Sequence, residues 1–377
     1  ARRLFDQFSL GRIAADSLSP RLAVDIPALA ARLDKDMAKL GDEDSTDWAK
    51  RSAEGYGAIF EKTGAPYVGG NSATMWLLAG DTDKAHEMAN ATLIALEVAP
   101  VPTGEAIYWH GVTEAEAALV VGDEARAADA LAAATRGKAE NYADRATTLH
   151  QLGIVCDLVG TDRAVLDPIR NPGVVHYAGH LILPGGKEGR FPASYEDQVR
   201  RQFDEAFEEL DVGFGFGSLA AGADVLAAEA LLARGAELHV VLPFDRDEFV
   251  RASVLPAGEA WVARFERCLA SAQNVVTATR GEYLDDPTLF DFCARIAMGD
   301  AIRRARYLAA PVTQVVVWDG VETGGTAGTS VDVGHWHASG RSSVVIGVPP
   351  GEPGAAMEPK RKVKAVLFAD FAGFSRL

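Results

Sequence analysis

From residue 174 to residue 348 the chain alternates short β-branched runs with amphipathic stretches, and this restricts the fold more than any other feature. The runs are Val174–Ile182, Val212–Gly217, Leu238–Phe244, Asn274–Thr279, Gln314–Trp318 and Ser343–Val348. Between them lie segments with helical spacing of apolar residues: Tyr195–Leu210, Ala223–Arg234, Glu259–Ser271, Phe290–Leu308 and Ser330–Ser339. Strand and helix taking turns at this spacing argue for a mostly parallel sheet with helices on both faces. The runs are apolar at nearly every position, as expected of strands covered on both sides. An open, doubly wound α/β domain is predicted over residues 169–349.

Residues 1–168 have a different texture. Alanine and leucine recur at three- and four-residue spacing, glycine marks the breaks, and β-branched runs are scarce, so this part reads as helical. One pattern occurs twice, 42 residues apart. Leu77-Leu78-Ala79-Gly80-Asp81 with Ala85 downstream matches Leu119-Val120-Val121-Gly122-Asp123 with Ala127, and Leu158-Val159-Gly160-Thr161-Asp162 is a weaker echo. Glycine ends a helix in the left-handed conformation, aspartate caps the next helix, and a small alanine lets the two approach closely. This is the logic of tetratricopeptide-type helical hairpins, with a period longer than the usual ~34 residues. An alanine-rich bundle with a coincidental loop match is the alternative.

Composition narrows the function. Lys+Arg 37 against Asp+Glu 53 gives a net charge of −16, which disfavours broad contact with nucleic acid or anionic lipid. No apolar stretch reaches the ~20 residues of a membrane span; the best, Gly217–Gly235, carries Asp224, Glu229 and Arg234. Cys156, Cys268 and Cys293 lie far apart without CxxC spacing, so buried thiols in a reducing, cytoplasmic setting are expected. After residue 349 the proline- and glycine-rich stretch 350–362 reads as a linker, and residues 363–377 as the opening strand of a further domain, cut short.

In open parallel sheets ligands bind outside the carboxyl ends of the strands, where strand order reverses. Five segments meet that condition: Gly179-His180; the glycine-rich stretch Gly213 to Asp224; Pro243-Phe244; Trp318-Asp319; and Gly324-Gly325-Thr326-Ala327-Gly328-Thr329. Glycines before a helix let a phosphate approach the backbone and its free N–H groups. The candidate binding residues are therefore Gly179, His180, Gly217, Ser218, Gly222, Asp224, Pro243, Asp319, Gly325, Thr326 and Thr329. Valine at Gly217 or Gly222 is expected to abolish binding and leave the fold largely intact. Two readings stay open: the glycines of 213–224 serve tight packing instead, and Asp319 either binds ribose hydroxyls or organises its turn. A dehydrogenase is disfavoured, because the strand after Gly215-x-Gly217-x-x-Ala220 ends in Pro243-Phe244 before any acid. Ser218 lacks the GxSxG frame of a nucleophile, and His335 and His337 face different sides of their helix, against a shared metal.

Three parts of the chain resemble known families. Residues 50–165 resemble the tetratricopeptide-like TRAFs-binding region of apoptosis-signal-regulating kinases, through Asn71-Ser72-Ala73, Gly80-Asp81, Tyr108-Trp109, Glu114-Ala115-Glu116-Ala117 and Gly122-Asp123. The α/β part resembles the SLOG superfamily of Rossmann-like nucleotide-sensing domains, through Gly179-His180, Gly217 to Asp224 with Glu229, and Leu242-Pro243-Phe244. It departs from the related phosphoribohydrolases, whose Pro-Gly-Gly-x-Gly-Thr motif is not matched at Gly325-Thr326. Residues 364–377 resemble the start of a class III adenylate or guanylate cyclase domain. That likeness implies that Asp370 and the Phe371 carbonyl bind Mg²⁺ or Mn²⁺ in a complete cyclase domain, a hard cation suited to oxygen ligands.

Together the resemblances imply the regulatory region of a nucleotide cyclase, without catalytic residues of its own in this stretch. It would sense a nucleotide-derived small molecule, offer its helical repeats to a protein partner, and act as a homodimer in the intact protein. A hydrolase of nucleotides or N-glycosides, and a helical-repeat scaffold, are the alternatives.

Overall fold

The computed structural model describes residues 1–13, 18–19, 22–41, 43–100, 102–136, 141–182, 191–280, 283, 285–322 and 324–349. The chain divides between Asn171 and Pro172 into two compact units.

The first unit is helical: α1 (Arg2–Gln7), α2 (Leu22–Ala38), α3 (Ser45–Thr63), α4 (Pro66–Leu78), α5 (Thr82–Val98), α6 (Ala106–Val120), α7 (Glu124–Thr135) and α8 (Tyr142–Val159). The repeated pattern forms the same connection twice. Gly80 and Gly122 adopt φ of +81° and +83°, a conformation that costs other residues energy. Asp81 Oδ1 then accepts from the Lys84 N–H at 3.1 Å, and Asp123 Oδ1 from the Arg126 N–H at 3.0 Å. Ala85 and Ala127 are fully buried where the paired helices close on each other. The echo at Gly160 ends α8 in the same way, but Asp162 caps a 3-10 turn, Arg163–Ile169, whose Leu166 and Ile169 complete the helical core.

The second unit contains β1 (Gly173–Gly179), α9 (Glu196–Glu209), β2 (Val212–Gly217), α10 (Ala223–Ala233), β3 (Glu237–Leu242), α11 (Arg246–Phe249), α12 (Glu259–Ser271), β4 (Asn274–Thr277), α13 (Thr288–Leu308), β5 (Val312–Trp318), α14 (Thr329–Ala338) and β6 (Ser343–Gly347). All six strands are parallel, in the order β4-β3-β2-β1-β5-β6. The chain builds outward from β1 to β4, then returns along α13, about 30 Å of helix, to place β5 on the other side of β1. Strand order therefore reverses between β1 and β5. The predicted α/β class holds, with a helical region first and a doubly wound, Rossmann-like sheet after it.

Helices α9, α10 and α12 cover one face. There Phe203, Phe207, Leu226, Leu231 and Phe265 pack on Val175, Tyr177, Leu238, Val240 and Leu242. Helices α13 and α14 cover the other, with Cys293 and Ala297 on Val241, and Val333 on Ala178 and Val316. This second face also buries polar groups. His176 lies between Gln314 (Nε2 to Nδ1, 3.2 Å) and the ring of Trp336, and burial pushes its imidazole down to about 3, so it is neutral at physiological pH. Among the described residues no helix is long and apolar enough to cross a membrane, and all three cysteines are free and buried.

Candidate functional site at the reversal of strand order

The carboxyl ends of β1 and β5 bring together residues far apart in sequence. His180 follows β1, Asp319 follows β5, and Thr329 opens α14. His180 Nε2 lies 3.1 Å from Asp319 Oδ1, and His180 Nδ1 lies 3.0 Å from Thr329 Oγ1. The Asp319 backbone N–H also points at Nε2, at 3.2 Å. The backbone N–H and the carboxylate make opposite demands on Nε2, the first on its lone pair and the second on a proton, while Nδ1 faces the threonine hydroxyl. The imidazole thus links an acid to a hydroxyl at the positive end of a helix. The side chains of His180 and Asp319 are only 6% and 1% exposed. Asp319 Oδ1 also accepts from the Val321 N–H at 3.0 Å, so this carboxylate does organise its own turn.

A second group forms beside it, from the ends of β2, α10, α13 and α14. The Asp224 carboxylate accepts from the Ala220 N–H at 3.1 Å, and burial pushes its carboxyl up to about 7. Asp332, in the first turn of α14, is pushed up to about 8 by burial and then by the charges of Asp224 and Asp291. The Cys293 thiol donates to the Val241 carbonyl at 3.2 Å. It is held protonated by burial and by the two aspartates, and the Ser218 hydroxyl is buried without a hydrogen-bond partner among the described residues. The Tyr177 hydroxyl and Asp332 Oδ1 are buried without a hydrogen-bond partner among the described residues. Two carboxyls that feel each other in a low-dielectric setting titrate as a pair near neutrality, one releasing its proton before the other.

Of the remaining predicted residues, Gly179, Gly217, Gly222 and Pro243 serve packing. Gly222 has φ of +113°, and a Cβ there would sit 2.6 Å from the Ile182 nitrogen and 2.8 Å from the His180 oxygen. The entrance of α10 is filled by the chain itself: Ala223 N–H donates to His180 O, Ile182 N–H to Ala221 O, and Ala221 N–H to Ser253 O. A Cβ on Gly217 would meet the Tyr177 ring and lie 2.6 Å from its backbone oxygen; one on Gly179 would meet Ala223 and Val317. The expectation that valine at Gly217 or Gly222 would spare the fold is therefore wrong, because the obstructing atoms are backbone. Pro243 is buried at the end of β3, where its carbonyl accepts from Thr279 Oγ1 at 2.9 Å. Gly325 and Thr326 lie in the loop leading to α14, with Thr326 exposed. Glu229, part of the SLOG-like pattern, takes a forked ion pair from Arg264 at 2.8 and 2.6 Å. Asp370 and Phe371 lie outside the described residues.

Sequence reasoning missed Asp332 and Cys293. The available signal was the single acid of α14, in its first turn, which the sequence gives no reason to pair with Asp224. His335 and His337 have separate partners, Asp291 at 2.8 Å and Ser343 at 3.2 Å, as their helical spacing requires. Among the described residues no three His, Cys, Asp or Glu side chains are placed to share a metal ion. An open cleft of about 680 Å³ lies over β2, β3 and β4, lined by Phe216, His239, Asn274, Val276, Arg303 and Tyr307, and shares only Val241 with the groups above. No protein-family model, curated protein or solved structure matches the chain.

Proposed function

We propose that the α/β unit is a regulatory binding module that takes a nucleotide-derived, anionic ligand at the reversal of strand order. The supporting observation is the convergence of His180, Asp319 and Thr329 at the head of α14. A phosphate there gains from the helix dipole and the Thr329 hydroxyl, while Asp319 is the acceptor suited to ribose hydroxyls. The entrance of α10 does not take part, its backbone groups being engaged internally. In the wider reading this unit and the helical repeats regulate a class III nucleotide cyclase, whose catalytic domain would begin at residue 363 and work as a homodimer with Mg²⁺ or Mn²⁺. A ligand that prefers one arrangement of the regulatory units would shift the cyclase between inactive and active geometry. The test is calorimetric titration of the chain with AMP, NAD and ADP-ribose, repeated with Thr329→Val and Asp319→Asn. Binding of at least one ligand, weakened tenfold or more by either substitution, is expected; no heat with any of them removes the reading.

A second reading is favoured by the Asp224–Asp332 pair. Two carboxyls that ionise near pH 7, one before the other, suit an acid and a base for cleaving an N-glycosidic bond. Chromatographic detection of a free base from any of the three nucleotides, lost in Asp224→Asn, would support a hydrolase. Binding without turnover supports the sensor.

A further inference from the structure

The helical unit holds a polar array that its packing does not explain. Lys35 Nζ donates to Asn71 Oδ1 at 2.6 Å, and Asn71 Nδ2 to the Tyr67 carbonyl at 2.9 Å. Lys39 Nζ donates to Gln151 Oε1 at 3.0 Å. Gln151 Nε2 and Thr74 Oγ1 both donate to Glu116 Oε1, each at 2.7 Å. These residues come from α2 and the turn after it, α4, α6 and α8, and Asn71, Thr74 and Glu116 are buried. Asn71 Oδ1, Gln151 Oε1 and Glu116 Oε1 are occupied, but the two cations are not neutralised. An ammonium carries three N–H donors, and Lys35 and Lys39 each spend one, on a neutral amide. Neither lysine forms an ion pair among the described residues.

The charges that act on Lys35 are Arg32 and Asp36 from α2, Lys39 from the turn after it and Glu116 from α6, and the Tyr56 and Tyr67 hydroxyls of α3 and α4 lie in the same field. Three cations face two carboxylates in a chain whose net charge is −16. Burial pushes the Lys35 ammonium down to about 8. A desolvated ammonium bonded directly only to a neutral amide, with donors to spare and Glu116 and Asp36 as its counter-charges against Arg32 and Lys39, is a site prepared for an anion.

We infer that Lys35 and Lys39, framed by Asn71 and Gln151, form a binding site for an oxyanion group, a carboxylate or a phosphate, on the shared side of α2, α4, α6 and α8. Glu116 sets its selectivity: fixed by Thr74 and Gln151, it positions the amide that holds Lys39 and repels anions that carry excess charge. Binding would depend on protonated Lys35 and weaken as pH rises from 7 towards 10. It does not depend on the proposal for the α/β unit.

The full chain labelled with ¹³Cε-lysine tests this directly, since it has ten lysines and Lys35→Arg identifies the Lys35 signal by its loss. Lys35 should titrate near 8 in sodium chloride and move towards 10.5 when sodium acetate or inorganic phosphate replaces chloride at equal ionic strength. A response to acetate alone assigns a carboxylate ligand, and to phosphate alone a phosphate. Lys35→Met should weaken binding roughly tenfold or more. Glu116→Gln should tighten it, because the amide oxygen still accepts from Thr74 and Gln151 while the repelling charge is gone. A Lys35 titration unmoved by both anions, or weaker binding in Glu116→Gln, overturns the inference.

Discussion

Asp224→Asn is the most informative single change in the α/β unit. The carboxyl is pushed from an ordinary 3.8 to about 7 by burial at the head of α10. A carboxyl raised in the folded state favours folding fully below its unfolded value, and that contribution is lost as pH rises through the folded one. Asp332, raised to about 8, acts in the same sense up to that pH; the Asp224 share of the stability should be lost between pH 4 and pH 7 and level off above. At about 1.4 kcal/mol for each tenfold change in proton affinity, the loss has an upper bound of about 4 kcal/mol, of which about 3 falls between pH 5 and pH 8. Asparagine keeps the shape and the acceptor for the Ala220 N–H but cannot ionise, so its stability should lack this slope. The assay is paired urea unfolding of native chain and variant from pH 4 to pH 8, where the difference cancels the general repulsion of a chain with net charge −16. The variant should match the native chain near pH 4 and exceed it at pH 8. A difference that changes by less than about 1 kcal/mol between pH 5 and pH 8 would refute the reasoning. The gain at neutral pH is also the hallmark of a carboxyl kept for something other than stability.

Three further outcomes are expected. Gly222→Ala should lower stability by about 3 kcal/mol, because the new carbon meets backbone atoms of Ile182 and His180. Gly328→Ala, with similar φ but nothing within 4 Å, should cost only about 1 kcal/mol; equal losses in thermal melts would contradict the packing account. Asp123→Ala removes the cap of α7 and should cost about 1 kcal/mol in urea unfolding, and Asp123→Asn should restore most of it. Arg264→Leu strands Glu229 and Glu196, which it joins across α10 and α9, and should cost about 2 kcal/mol; a neutral result would mean the pairs are solvent-screened.

Much of the fold was legible because strand and helix periods were strong and the caps local. The misjudged ends have local causes. The run Val174–Ile182 stops as a strand at Gly179, since Leu181 bridges to Gly222 and His180 turns to Asp319. Leu238–Phe244 stops at Leu242, since Pro243 has no N–H to offer and Phe244 folds against Phe249, Tyr283 and Phe290. Asn274–Thr279 stops at Thr277, where Thr279 turns its hydroxyl to the Pro243 carbonyl. Within the candidate site, His180, Asp319 and Thr329 were legible one by one, because each follows a strand or opens a helix. Their meeting depends on β5 lying beside β1, which no local pattern encodes. The same holds for Asp332 with Asp224, and for Lys35, Asn71, Glu116 and Gln151, which four separate helices bring together. Glycines misled for a related reason: close approach to a neighbouring backbone and close approach to a phosphate ask for the same residue.

The order of the sheet also governs how the molecule comes into being. The central strand acquires its first neighbour at Val212, but its second only at Val312. During synthesis on the ribosome one rim of β1 therefore stays bare while a further hundred or so residues emerge, the circumstance in which nascent chains stick to one another. Versions terminated before Val312 should be aggregation-prone even though four of the six strands are present, and the complete sheet should depend on chaperones more than its helical neighbour, whose hairpins close locally.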